Sequence, residues 1–138
     1  MIRLLKEIDR YIFNTLISVL YEKFPEYKSV LDSQGGSVYA KNYTSENSSD
    51  FSTYLFMNEF SIFLGGKIIE DKTSVFVKKS FEYINLLGQS DNCEILNIVH
   101  VGILEILYTE EGVNREFVKM NLSEKLQPYF ESWSKYYR

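Results

Sequence analysis

The chain has 138 residues, 45% of them hydrophobic and 25% charged, with a formal net charge of −4. That size suits one domain with a core of its own, and the balance excludes a disordered chain. An acidic chain with no basic patch is a poor partner for a nucleic-acid backbone, and no run of about 18 apolar residues offers a membrane span.

Residues 3–24 read as an amphipathic helix, because Leu5, Ile8, Ile12, Leu16 and Val19 recur at intervals of three and four. Pro25 should end it, with a short helix at 26–32. Residues 33–50 carry Gly35-Gly36 and a run of Ser, Asn and Thr, the composition of a flexible loop inside a single domain of 1–138. A helix is expected over 51–64, capped by Ser49 or Asp50 and stopped by Gly65-Gly66. Another is expected over 72–88, capped by Asp71 or Thr73 and ended by Gly88, with Val77, Phe81, Ile84 and Leu87 as its stripe.

The segment 92–108 is apolar on nearly every side. Its β-branched residues and Gly102 argue for a strand, but its length argues for a helix. So does the spacing of 3, 4, 4 and 3 between Glu94, Asn97, Val101, Glu105 and Tyr108. That spacing makes one line along a helix and would scatter over both faces of a strand. A buried central helix with this line exposed is the expectation. A short helix at 114–120 and a terminal one at 123–137, with Leu126, Phe130, Trp133 and Tyr137 spaced 4, 3 and 4, complete the chain, and Pro128 must either kink the last one or start it. The fold class is therefore all-α, a single-domain bundle of about five to seven helices. Helix pairs stacked as in an α-solenoid would satisfy the same pattern.

Eleven Tyr and ten Phe stand beside one Trp. Phe is expected in the core and Tyr at its edge, with a further option that some Tyr form a contact surface. The chemistry for catalysis is sparse. His100 is the only histidine and Cys93 the only cysteine, seven residues apart, so no His-based triad, disulfide or multi-histidine metal site is expected. No phosphate-binding or zinc motif occurs, and no cofactor is expected. Glu59 and Glu105 lie in apolar segments and could do acid–base work if desolvated, but they are read as marking exposed stripes. Cys93 and His100 are read as core and core-edge residues. One cysteine and the absence of a signal-type N-terminus suit the cytoplasm.

Between Glu82 and Glu116 there are seven acids and one base, Arg115. An acidic surface speeds encounter with a basic partner, and it also serves solubility. The segments FEYINLL (81–87), NIVHVGILEIL (97–107) and LQPYFESW (126–133) follow in an order that resembles small helical bacterial immunity proteins. Those proteins accompany polymorphic toxins, including contact-dependent growth-inhibition systems. The likeness covers about 82–137. It implies an intracellular, non-enzymatic inhibitor that binds one toxin domain, often a nuclease. The partner-binding residues expected for such a role are Glu94, Asn97, Glu105, Tyr108, Glu110 and Glu111, with Tyr108 as aromatic anchor. The alternative is a helical adaptor or homo-oligomer, such as a homodimer, that packs through Tyr and Phe.

Overall fold

In a computed structural model of the chain, residues 20–33 and 50–137 are described, with side chains from 54 onward in the second stretch. The helix expected at 3–24 therefore lies outside the described residues up to position 19, and so does nearly all of the loop expected at 33–50. The elements, in chain order, are α1 (Pro25–Ser33), α2 (Asp50–Asp71), α3 (Val75–Leu87), α4 (Cys93–Asn97), a π-helical segment (Ile98–Leu104), α5 (Glu105–Thr109), α6 (Arg115–Asn121), α7 (Gln127–Glu131) and a 3-10 turn (Ser132–Lys135). There is no strand among the described residues, so the all-α expectation holds. Segments α4, π and α5 run on without a break and form one central rod.

Each boundary has a local cause. Residues 20–23 are helical, Phe24 is not, and Pro25 opens α1. Proline lacks the amide that a first helical residue leaves unpaired, so it starts a helix as well as ending one. The Ser74 hydroxyl caps α3 by accepting from Val77 N at 3.2 Å. The caps expected at Asp71 and Thr73 bond instead to each other, Thr73 Oγ1 donating to the Asp71 carboxylate at 2.7 Å. Asn92 and Asn114 cap α4 and α6 through their side-chain oxygens.

The stop expected at Gly65-Gly66 does not occur, and α2 continues to Asp71. A helical glycine costs about 1 kcal/mol relative to alanine, which packing readily offsets. Gly65 is buried, and a Cβ there would meet Val113 Cγ2 at 3.3 Å and Glu110 Cγ at 3.6 Å. Buried Ile68 anchors the next turn. The single terminal helix expected over 123–137 is also shorter. Pro128 sits in the first turn of α7, so it starts the helix rather than kinking it, and the chain then tightens into the 3-10 turn.

The core holds an aromatic nucleus. Phe24, Tyr27, Phe60, Phe63, Phe76 and Tyr83 meet through ring centroids 5.0–6.4 Å apart, mostly tilted or edge-on. These are the geometries that the ring quadrupole favours. The expectation that Tyr stays at the edge fails for Tyr27, Tyr83 and Tyr108, all buried. Tyr27 keeps a polar partner, donating to Glu59 Oε1 at 3.4 Å. Burial, with Glu59 beside it, pushes the Tyr27 hydroxyl well above its ordinary pKa, and burial alone raises Tyr83.

Helix α2 crosses the rod at Gly102. A Cβ there would meet Met57 Cβ at 3.3 Å. The Ser61 hydroxyl, fully buried, reaches the Gly102 carbonyl at 3.3 Å as well as the Met57 carbonyl at 2.7 Å. With its amide turned so that both ends are satisfied, Asn58 also donates to the Gly102 carbonyl, at 2.8 Å. Polar support and close approach thus coincide in the π segment.

Gly88 tests how tightly the bundle closes. Its φ of −65° is open to any residue, but a Cβ there would lie 2.6 Å from Leu126 Cδ1, and Leu126 is itself buried. Gly88→Ala is expected to destabilise the protein by about 1–3 kcal/mol through overpacking. Chemical denaturation should show this as a lower midpoint, and the effect should shrink in a Leu126→Ala background.

Candidate functional site

The π segment decides which side chains the rod presents. Its hydrogen bonds run five residues back, as from Glu105 N to the His100 carbonyl. A π turn takes one residue more than an α turn, so everything beyond it is rotated by roughly one residue step, about 100°. The line expected from Glu94 to Tyr108 is therefore broken in the middle. Glu94 and Asn97, before the turn, are exposed. Val101 and Glu105 are half-buried, and Tyr108, expected as an exposed anchor, is only 8% exposed.

Tyr108 faces inward, packed edge-on against Phe130 with ring centroids 5.2 Å apart. The Arg115 guanidinium covers its other side, 3.9 Å from the ring centroid, while Arg115 Nε donates to the Tyr108 carbonyl at 2.8 Å. The one base of the acidic stretch is thus held by the chain itself. Glu110 leans on Gly65 of α2, and Glu111 is exposed in the turn that Gly112 closes at φ +89°. The six expected residues do not form one patch. Glu94 and Asn97 lie toward one end of the rod, Glu110 and Glu111 beyond the other, and Glu105 between.

Around Glu105 the structure assembles a group that sequence reasoning had placed elsewhere. Tyr137, beyond the 3-10 turn, donates its hydroxyl to Glu105 Oε2 at 2.5 Å. That bond holds the Tyr137 hydroxyl above its ordinary pKa. Trp133 Nε1 donates to the His100 carbonyl at 3.2 Å, and the Trp133 ring lies 4.7 Å from the His100 ring. Tyr136 and Tyr137 pack on Trp133 with centroids 5.8 and 6.2 Å away. Tyr136 is 73% and Tyr137 38% exposed. Trp133 and Tyr137 read in sequence as the apolar stripe of a long helix. The available signal was the polar interleaving of Ser132, Ser134 and Lys135 around them.

His100 is half-buried. Ser132 Oγ donates to the Tyr129 carbonyl at 2.7 Å, so the His100 Nε2–H is the donor in its 2.9 Å contact with that oxygen. Desolvation pulls the His100 pKa down, against smaller upward pulls from the Tyr129 backbone and Glu105. Beside it, Cys93, Leu96, Asn97 and Tyr129 line a shallow cavity of about 170 Å³. Cys93 is exposed, not a core residue as expected, because it stands in the first turn of α4 on the solvent side. Asn97 closes this edge by donating to the Tyr54 hydroxyl at 2.5 Å. Glu59 and Glu105, read as exposed stripe residues, are both half-buried and each receives a tyrosine hydroxyl.

Among the described residues no group of three or more His, Cys, Asp or Glu side chains is placed to hold a metal ion. No helix among them is long and apolar enough to cross a membrane. The chain belongs to the family described as Domain of unknown function (DUF7674), whose model matches residues 17–138. No curated protein and no solved structure matches it.

The half-buried His100 gives a pH signature. Its folded pKa is lowered, so the unfolded chain binds its proton first. Stability from this residue is complete above the unfolded value of about 6.5 and falls as pH drops from there toward the depressed folded value. The thermal midpoint should decline across that window, and less so in His100→Gln. Identical pH profiles for the two proteins would show that His100 does not contribute.

Proposed function

We propose that this protein neutralises a cognate bacterial toxin domain by contact, as an immunity protein does, and catalyses nothing itself. The observation that carries this reading is a set of acids that no described residue matches with a counter-charge. Among the described residues, no Lys or Arg forms an ion pair with Glu94, Glu105, Glu110 or Glu111, whereas Lys28, Lys67 and Lys119 are all paired with other acids. An unpaired acidic surface attracts a basic protein and speeds its docking. Nucleases that bind nucleic acid present such basic surfaces. The likeness of about 82–137 to toxin-associated immunity proteins supports the same partner class. A protein of this kind acts in the cytoplasm, where a single unpaired cysteine stays reduced.

A second reading, self-association, draws on one observation. Ile62 and Ile69 are 52% and 57% exposed on α2, on either side of Gly66, around which nothing lies within 4 Å of a Cβ position. Sedimentation at increasing concentration separates the two. A monomer that binds a basic toxin supports the first, and a tight dimer dispersed by Ile62→Lys supports the second.

The direct test measures binding to a cognate toxin domain. Glu94→Lys combined with Glu111→Lys changes two exposed side chains that make no hydrogen bond among the described residues, so the fold should persist. Affinity should fall by about tenfold or more, since rim charges set association rate. The dependence on salt should flatten. Unchanged affinity and salt dependence would remove the acidic face from the account.

A further inference from the structure

We infer that the cluster of Glu105, Trp133, Tyr136 and Tyr137 is a receptor for an arginine side chain of a protein partner. This rests on the binding reading above and deepens it, by naming the group received and where. Three features of the cluster point to a guanidinium. Tyr137 fixes one oxygen of the Glu105 carboxylate, Oε2, and the other takes no hydrogen bond from the described residues. The carboxylate is thus held in one orientation with an acceptor to spare. Tyr137, which touches the carboxylate, packs on Trp133 together with Tyr136, and Tyr136 and Tyr137 are open to solvent. An aromatic face beside a carboxylate suits a flat cation that can stack and donate hydrogen bonds together. A nucleic-acid base would also stack on such rings, but its phosphates would meet Glu105 and a net charge of −4 where that mode of binding requires cations.

Arginine is favoured over lysine by geometry. A guanidinium lies flat on a ring and presents a fork of donors, whereas an ammonium is a hydrated point charge. The chain displays the difference internally. Arg115 approaches the Tyr108 ring to 3.9 Å and bonds to the same residue's carbonyl. Four lysine–ring contacts, those of Lys28, Lys67, Lys72 and Lys79, lie at 5.3–5.9 Å. The receptor leaves open to a partner the pairing that Tyr108 and Arg115 complete within the chain.

Trp133 is the only tryptophan, so its fluorescence reports directly on the cluster. Two peptides of equal length and charge serve as probes, arginine alternating with Gly and Ser in one and lysine in the other. The arginine peptide should shift the emission and bind about tenfold more tightly than the lysine peptide. Glu105→Gln, which keeps an acceptor for Tyr137, should reduce its affinity to the lysine level. Tyr136→Ala, which removes an exposed ring, should weaken the arginine peptide more than the lysine one. Equal affinity for the two peptides, no binding by either, or an arginine preference that survives Glu105→Gln would overturn the inference. Equal affinity would leave the acidic-face reading intact. Conversely, an arginine preference in a protein whose toxin binding ignores Glu94→Lys and Glu111→Lys would overturn that reading and leave this one.

Discussion

The crossing of α2 over the central rod at Gly102 is the contact on which the other features depend. Two helices can approach this closely only where one of them has no side chain. The carbonyl brought into that contact must then find donors, because an unpaired polar group in the core costs several times a normal hydrogen bond's net gain. Ser61 and Asn58 supply them. The rod is π-helical at this point, and π turns occur often beside functional sites. Here the turn rotates Glu105 toward the C-terminal aromatics and Tyr108 into the core.

That rotation links packing to surface chemistry. An uninterrupted α-helix would place Glu94, Asn97, Glu105 and Tyr108 along one line. The extra residue divides them between a polar edge at Asn97 and Tyr54, an acid-and-aromatic cluster at Glu105, and a buried Tyr108 covered by the exposed Arg115. The proposed binding surface is consequently not a single acidic stripe. It is a set of carboxylates without ion pairs among the described residues, spread along the rod and the turn after it, one of which is fixed by the hydroxyl of a tyrosine in a ring cluster. Fixing a side chain in advance reduces the entropy that binding must overcome.

The elements themselves were largely legible in the sequence, because helical periodicity and capping chemistry are local. The intervals of three and four within 92–108, the short helix at 114–120 and the stripe Val77–Phe81–Ile84 all correspond to observed helices. Stops were less legible. Gly65-Gly66 and Gly88 look alike as isolated glycines, yet one lies inside a helix and the other at its end. What separates them is the distant residue each meets, Val113 or Leu126, and no local rule contains that information.

The sequence by itself determined an all-α chain with an apolar central helix, an excess of acids between Glu82 and Glu116 and too few histidines and cysteines for the familiar catalytic arrangements. These follow from composition and short-range spacing. Only the tertiary structure decided which acids face solvent, because the π turn depends on the packing of α2 against Gly102. It alone brought Trp133, Tyr136 and Tyr137 to Glu105, some 30 positions away in the chain, since Pro128 starts a short helix whose end falls back on the rod. Periodicity reports which side of a helix is apolar. It does not report where one helix loses a residue's worth of register, and here that shift separates the expected line from the observed site.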